Sequence, residues 1–148
     1  MTLYLAADHR GFKLKEVIKK LLAERGVAFE DCGAMVFDPH DDYVDSAIAA
    51  GEKIIQNLLE NKGIFICGSG HGMDIVANKF RGIRAALCWN ADVAKQSREH
   101  DDANVLVLPA DWVDEKQAEE MVKIWLESSF SNEERHMRRL KKIQKLMQ

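Results

Sequence analysis

Proline is scarce in this 148-residue chain, with Pro39 and Pro109 the two present, and the 9 glycines are grouped rather than spread. A disordered or linker-rich protein would show the opposite, so the composition excludes one. Cysteine is scarce too: Cys32, Cys67 and Cys88 are odd in number and contain no Cys-x-x-Cys, which signals neither a disulfide framework nor a zinc site. No apolar run approaches the ~18 residues of a membrane span, and no charged-then-apolar leader opens the chain. Neither charge dominates: 21 Lys+Arg against 24 Asp+Glu leave a net -3, which excludes a protein held on nucleic acid by bulk electrostatics. Repeats and low-complexity segments are missing. What remains is the composition of one domain over residues 1–148, long enough to bury roughly 68–70% of its unfolded surface. A reduced, soluble, cytoplasmic protein with no membrane or nucleic-acid partner is expected.

Short apolar runs alternate with longer amphipathic stretches. Leu3–Ala7, Val27–Asp31, Gly63–Cys67, Ala85–Cys88 and Asn104–Leu108 read as strands. Helical spacing of apolar residues predicts helices over Phe12–Arg25, Tyr43–Leu59, the segment through Ile75, Val76 and Phe80, Ala91–His100 and Asp114–Leu126. Phe37–Asp42 reads as an acidic loop. Nearly continuous apolar strands alternating with helices mean a parallel sheet covered on both faces. The expected fold is therefore three-layer α/β/α with a five-stranded, flavodoxin-like order. Ligands in such folds sit beyond the carboxyl ends of the strands at a switch point, here between strands 1 and 3. Those strand ends carry Asp8-His9 and Cys67-Gly68-Ser69-Gly70.

The stretch Cys67-Gly68-Ser69-Gly70-His71-Gly72 is the most informative. Its glycines let successive N–H groups converge, and the helix that follows adds its unpaired N–H groups, so an oxygen gaining negative charge is favoured there. It is no known phosphate loop. The third glycine of Gly-x-Gly-x-x-Gly would be Met73, the Walker lysine is missing, and the arginine of a cysteine phosphatase would also fall on Met73. A thiol at this position has a raised thiolate fraction, yet free cysteines are often just small buried hydrophobes. The residues alone leave Cys67 open between those roles, and favour the inert one for Cys32 and Cys88.

With these pieces in view, the chain resembles the ribose-5-phosphate isomerase type B family, which includes the galactose-6-phosphate isomerase subunits. The resemblance rests on Ala7-Asp8-His9-Arg10-Gly11 with Lys13-Leu14-Lys15, Asp42-Tyr43, Cys67-Gly68-Ser69-Gly70 with Gly72, and Ala77-Asn78-Lys79 with Gly82-Ile83-Arg84-Ala85. Ser97-Arg98, His100, Asp102, Asn104-Val105-Leu106, Arg135-His136 and Arg139 complete it. It implies an aldose–ketose isomerase that uses no cofactor or metal and works through a cis-enediol. By the same resemblance Cys67 is the base, and Ser69 with the N–H groups of Gly68, Gly70 and Gly72 holds the enediolate oxygen. His100 opens the sugar ring, with Asp8 near the sugar oxygens. His9, Arg135 and Arg139 bind the phosphate, and Tyr43 and Asn104 position the sugar. His71 and His136 are expected at the surface or behind the contacting residues, and Arg81 and Arg84 in framing the fold. The segment 133–148, with six Lys/Arg against two Glu, carries an apolar stripe. The resemblance implies that it packs on a partner in a homodimer or tetramer whose sites are shared between protomers.

Three departures from the family pattern bear on substrate. Tyr43 is followed by Val44 rather than proline, Asp101 replaces an amide after His100, and Pro109-Ala110-Asp111 replaces a Gly-x-Arg. Asp111 is expected either to face the phosphate or to cap the helix that begins near Val113 and Asp114. Three readings compete: an isomerase of ribose 5-phosphate, an isomerase of a hexose 6-phosphate of the allose or galactose type, and a non-catalytic sugar-phosphate-binding protein. The set Cys67, Ser69 and His100 argues against the last, since a sensor needs no base.

Overall fold

The computed structural model describes residues 1–146. Its elements are β1 (Thr2–Ala7), α1 (Phe12–Glu24), β2 (Phe29–Asp31), α2 (Tyr43–Ile54), β3 (Asn61–Cys67), α3 (His71–Ala77), β4 (Ala85–Leu87), α4 (Ala91–Asp101), β5 (Val105–Pro109), α5 (Glu115–Glu127) and α6 (Glu134–Lys145). A single 3₁₀ turn, Ile55–Asn57, ends the segment expected to stay helical to Leu59. None of the described helices is long and apolar enough to cross a membrane.

All five strands are parallel, in the order β2-β1-β3-β5-β4. The flavodoxin order would put β4 beside β3; here β5 takes that place and β4 moves to the edge. The reason lies in burial. Val105–Pro109 is buried throughout, whereas each residue of Ala85–Leu87 is half-exposed, as an edge permits. The crossovers obey one handedness: β1→β2 and β4→β5 move one way with α1 and α4 on one face, while β2→β3 and β3→β4 move the other way with α2 and α3 opposite.

Side chains alternate between the two faces with period two. Leu3, Leu5, Ile64, Ile66, Leu106 and Leu108 pack beneath α1, α4 and α5, against residues such as Ile18, Leu22, Met121 and Trp125. Ala6, Phe65, Cys67, Val105 and Val107 turn to α2 and α3, where Ala47, Ala50, Ile54, Met73 and Ala77 meet them. The stretches Leu3–Ala7, Gly63–Cys67 and Val105–Pro109 read as nearly unbroken apolar sequence because both faces of the sheet centre are covered. The α1 start comes so near β3 that a Cβ on Gly11 would lie 2.2 Å from the Ile66 carbonyl oxygen. That close approach sets the first turn of α1 against the carboxyl end of β3.

Helix α6 lies against α4 of its own chain, with His136 only 2% exposed. Leu140 and Ile143 line a cavity of about 400 Å³ with Leu58 and the turn 81–84. Met137 and the rest of its basic side remain exposed.

Candidate active site

At the switch between β1 and β3 the chain leaves the sheet in opposite directions, opening a crevice. After β1, Asp8 Oδ1 accepts hydrogen bonds from the N–H groups of Arg10 and Gly11, both at 3.0 Å, so this buried carboxylate shapes the turn that presents His9 and Arg10. His9 is directed by Asp41: its Nδ1 lies 2.6 Å from Asp41 Oδ1, and its N–H donates to the same oxygen at 2.9 Å. With Nδ1 engaged, Nε2 is the ring nitrogen left for a ligand.

After β3, Gly70 takes φ 80° as the N-cap of α3, a left-handed backbone that suits glycine. The turn folds back over Cys67, 4% exposed. Burial pushes the Cys67 thiol above its ordinary range, while the backbone N–H groups of Met73 and Gly70 pull the other way. Ser69 Oγ accepts from His71 N–H at 3.3 Å and stays half-exposed beside the sulfur's turn. Tyr43, at the start of α2, lies over Gly72, where a Cβ would meet its ring at 2.5 Å. A cavity of about 460 Å³ between Ala7, Cys32, Gly33, Asp41, Asp42 and Ser46 adjoins His9.

Thus Asp8, His9, Tyr43, Cys67, Gly68, Ser69, Gly70 and Gly72 share one end of the sheet. His100, Asn104, Arg135 and Arg139 do not. Val105 pairs with Gly63 and Pro109 with Cys67, so the start of β5 lies about 13 Å along the strands from the thiol. His100, on the last turn of α4, is at that far end. Its ring stacks on His136 at 4.3 Å between centroids, and His136 Nδ1 is 2.9 Å from Ser131 Oγ. Asn104 is buried with its amide committed to backbone: Nδ2 donates to Gly82 O at 2.9 Å, and Oδ1 accepts from Arg84 N–H at 2.8 Å. Arg135 and Arg139 are exposed on α6, Arg135 pairing with Glu133 at 2.7 Å. Arg84 holds Asp102 and the carbonyls of Asp101 and Asp102, in the framing role expected of it.

The two expectations for Asp111 resolve against capping. Asp114 is the N-cap of α5, in a reciprocal capping box with Gln117. Asp111 instead forms an ion pair with Arg10 across the end of β3, above Gly68. Asp41 and Asp42, at the end of the acidic loop, both have work: Asp41 orients His9 and Asp42 caps α2 by accepting from Val44 N–H. Only their order in an acidic loop ahead of a helix hinted at this.

The fold and the crevice define a parallel α/β protein with a thiol and a hydroxyl set where negative charge is stabilised, beside a fixed imidazole. A family model described as Ribose/Galactose Isomerase matches residues 3–143. The chain is 36% identical over 140 residues to the ribose-5-phosphate isomerase B of Mycobacterium tuberculosis, covering 95% of this chain and 86% of that one. It superposes with a TM-score of 0.95 on a crystal structure of the Mycoplasma genitalium ribose-5-phosphate isomerase B with bound ribulose-5-phosphate, at 36% identity over 99% of this chain and 95% of that one. The Thermotoga maritima ribose 5-phosphate isomerase B matches at 39% identity and a TM-score of 0.91, over 97% of each chain. The protein belongs to the ribose/galactose isomerase family.

Proposed function

We propose that the protein interconverts ribose 5-phosphate and ribulose 5-phosphate. The observation that carries this reading is Cys67: a buried thiol at the start of the glycine turn, next to Ser69, at the switch point of a chain in this family. In the open-chain aldose, the Cys67 thiolate removes the C2 proton. Electrons move to the carbonyl oxygen at C1, giving a cis-enediolate. A proton then passes from the C2 hydroxyl to the C1 oxygen, and the Cys67 thiol returns the first proton to C1 as the C2 oxygen becomes the ketone. Ser69 and the N–H groups around Gly70 and Gly72 stabilise the oxyanion, a contribution of about 3–4 kcal/mol for a well-placed donor. His9 holds the phosphate with Nε2.

The far-end residues enter this scheme through a second chain. His100, Arg135 and Arg139 cannot meet Cys67 within one protomer, yet they line one edge of every protomer while the thiol lines the other. Exposed Trp89, Trp112 and Phe37 surround the thiol's edge and suit burial by a partner. In a two-fold dimer the partner's His100 opens the ring, and the partner's Arg135 and Arg139 grip the phosphate.

Incubating the protein with ribose 5-phosphate in D₂O, followed by proton NMR, tests the chemistry. Ribulose 5-phosphate should form and the C2 proton should exchange with solvent. A folded protein that does neither, or that turns over allose 6-phosphate or galactose 6-phosphate instead, refutes the substrate assignment. Mixing inactive Cys67→Ser and His100→Ala chains tests the sharing. Random pairing should restore about a quarter of wild-type activity, and no recovery after subunit exchange would place the site within one chain.

A further inference from the structure

The turn after β1 and the turn after β5 meet above β3. Backbone bonds place them there: Ala110 N–H donates to Cys67 O and Asp111 N–H to Gly68 O, each at 2.9 Å. From these anchors the Asp111 carboxylate reaches the Arg10 guanidinium. The guanidinium lies close to Gly68, the residue after the thiol. A Cβ on Gly68 would sit 2.5 Å from Arg10 Nε, 2.6 Å from Arg10 Cζ and 2.8 Å from Asp111 Oδ2. The absence of a side chain at 68 leaves the room that the guanidinium occupies, and a Cβ there would displace it. Arg10 is 56% exposed and Asp111 33%, so this pair adds little to folding stability. Its placement calls for another explanation.

We propose that Arg10, clamped over Gly68 by Asp111, is a positioning residue for the base: it holds a fixed positive charge beside Cys67 and favours the thiolate. The inference deepens the isomerase reading and rests on Cys67 being its base. A buried thiol needs such help, because burial disfavours its charged form. The groups around Cys67 are few. Asp8 opposes the thiolate and Arg10 favours it, both from the turn after β1. Asp111 comes from the turn after β5, and Tyr43 of α2 covers Gly72. From α3 come the N–H of Met73 and, on the same first turn, His71 and Asp74. Arg10 is therefore the cation facing the sulfur from these elements, and Asp111 fixes its reach. An unclamped arginine with its long stem would be free to turn to solvent.

The test is the pH profile of Cys67 alkylation in the free, full-length protein. Iodoacetamide is the reagent, because it is neutral and gains nothing from electrostatic attraction to Arg10. Peptide mass spectrometry separates Cys67 from Cys32 and Cys88. In Arg10→Met the midpoint should rise by half a pH unit or more, so alkylation below the midpoint slows about threefold. The high-pH plateau should stay unchanged, whereas a change of access or packing would move the plateau. Arg10→Lys, which keeps the charge, should restore most of the midpoint. Unaltered midpoints in Arg10→Met, or equal shifts in Arg10→Met and Arg10→Lys, overturn the proposal. Should Arg10→Met fail to fold, Arg10→Gln serves with the same criteria. Alkylation is read without substrate, so its outcome is separate from the D₂O assay. A wild-type protein inactive on ribose 5-phosphate sinks the isomerase reading and leaves the charge pairing standing.

Discussion

Replacing Lys15 by Met should destabilise the protein and loosen the side of the crevice beside His9. Lys15 lies on α1 with no solvent exposure. Its Nζ donates to Asp31 Oδ1 and to Ala34 O, both at 2.6 Å, tying α1 to the segment after β2 that lines the cavity beside His9. Removing one partner of a buried ion pair costs about 3–5 kcal/mol. The lower end applies, because Asp31 keeps Lys19 at 2.9 Å and the Gly33 N–H at 3.1 Å. A loss of about 3 kcal/mol corresponds to a fall in Tm of roughly 6–12 °C for a chain of this size. The difference should depend on pH. Burial raises the Asp31 pKa, but the hydrogen bonds from Lys15, Lys19 and Gly33 outweigh it and hold the carboxyl below its ordinary 3.8. Stability from a depressed carboxyl is complete above its unfolded pKa and is lost as pH falls through the folded one. The gap between wild type and Lys15→Met should thus be full at neutral pH and narrow in acid below pH 3.8. Urea unfolding followed by circular dichroism measures it. A gap under about 1 kcal/mol at neutral pH, or one that persists undiminished to about pH 2, refutes the reasoning.

Asp41→Ala removes the partner of His9 Nδ1 and should raise KM for ribose 5-phosphate about tenfold, from a charged hydrogen bond of about 1.5 kcal/mol, while the Cys67 alkylation profile stays put. Steady-state kinetics beside alkylation separate the two. Arg135→Ala and Arg139→Ala should each raise KM for the phosphorylated sugar by the equivalent of about 1.5–3 kcal/mol and leave free ribose turnover little changed; equal losses on both substrates would assign α6 a structural role only. Asp114→Ala should cost about 1 kcal/mol by thermal melting through loss of the α5 cap, whereas Asp111→Asn should cost far less, since Asp111 caps nothing.

The alternation of apolar and amphipathic segments was enough to read the three-layer fold and the crevice between β1 and β3, because both follow from local periodicity and chain direction. The division of the site was legible by the same logic. In a parallel sheet every helix returns the chain to the starting edge, so His100 and Asn104, just before β5, had to lie opposite Cys67, at its end. Asn104 shows what pattern matching leaves out: the amide expected to position a sugar is also bonded to the backbone of Gly82 and Arg84. Asp41 shows what it omits, since an acidic residue in an acidic loop carries no mark of the histidine 32 positions earlier that it orients.

By itself, then, the sequence determined the elements, the parallel sheet and the glycine turn beside Cys67, since these depend on side-chain period and on backbone freedom over a few residues. Tertiary structure alone decided the placing of β5 between β3 and β4, because strand order follows from competition for burial among distant segments. It also decided the partners of Lys15, His9 and Arg10. Each pairs with a carboxylate far along the chain, and only packing of the turns at one end of the sheet brings such charges within reach.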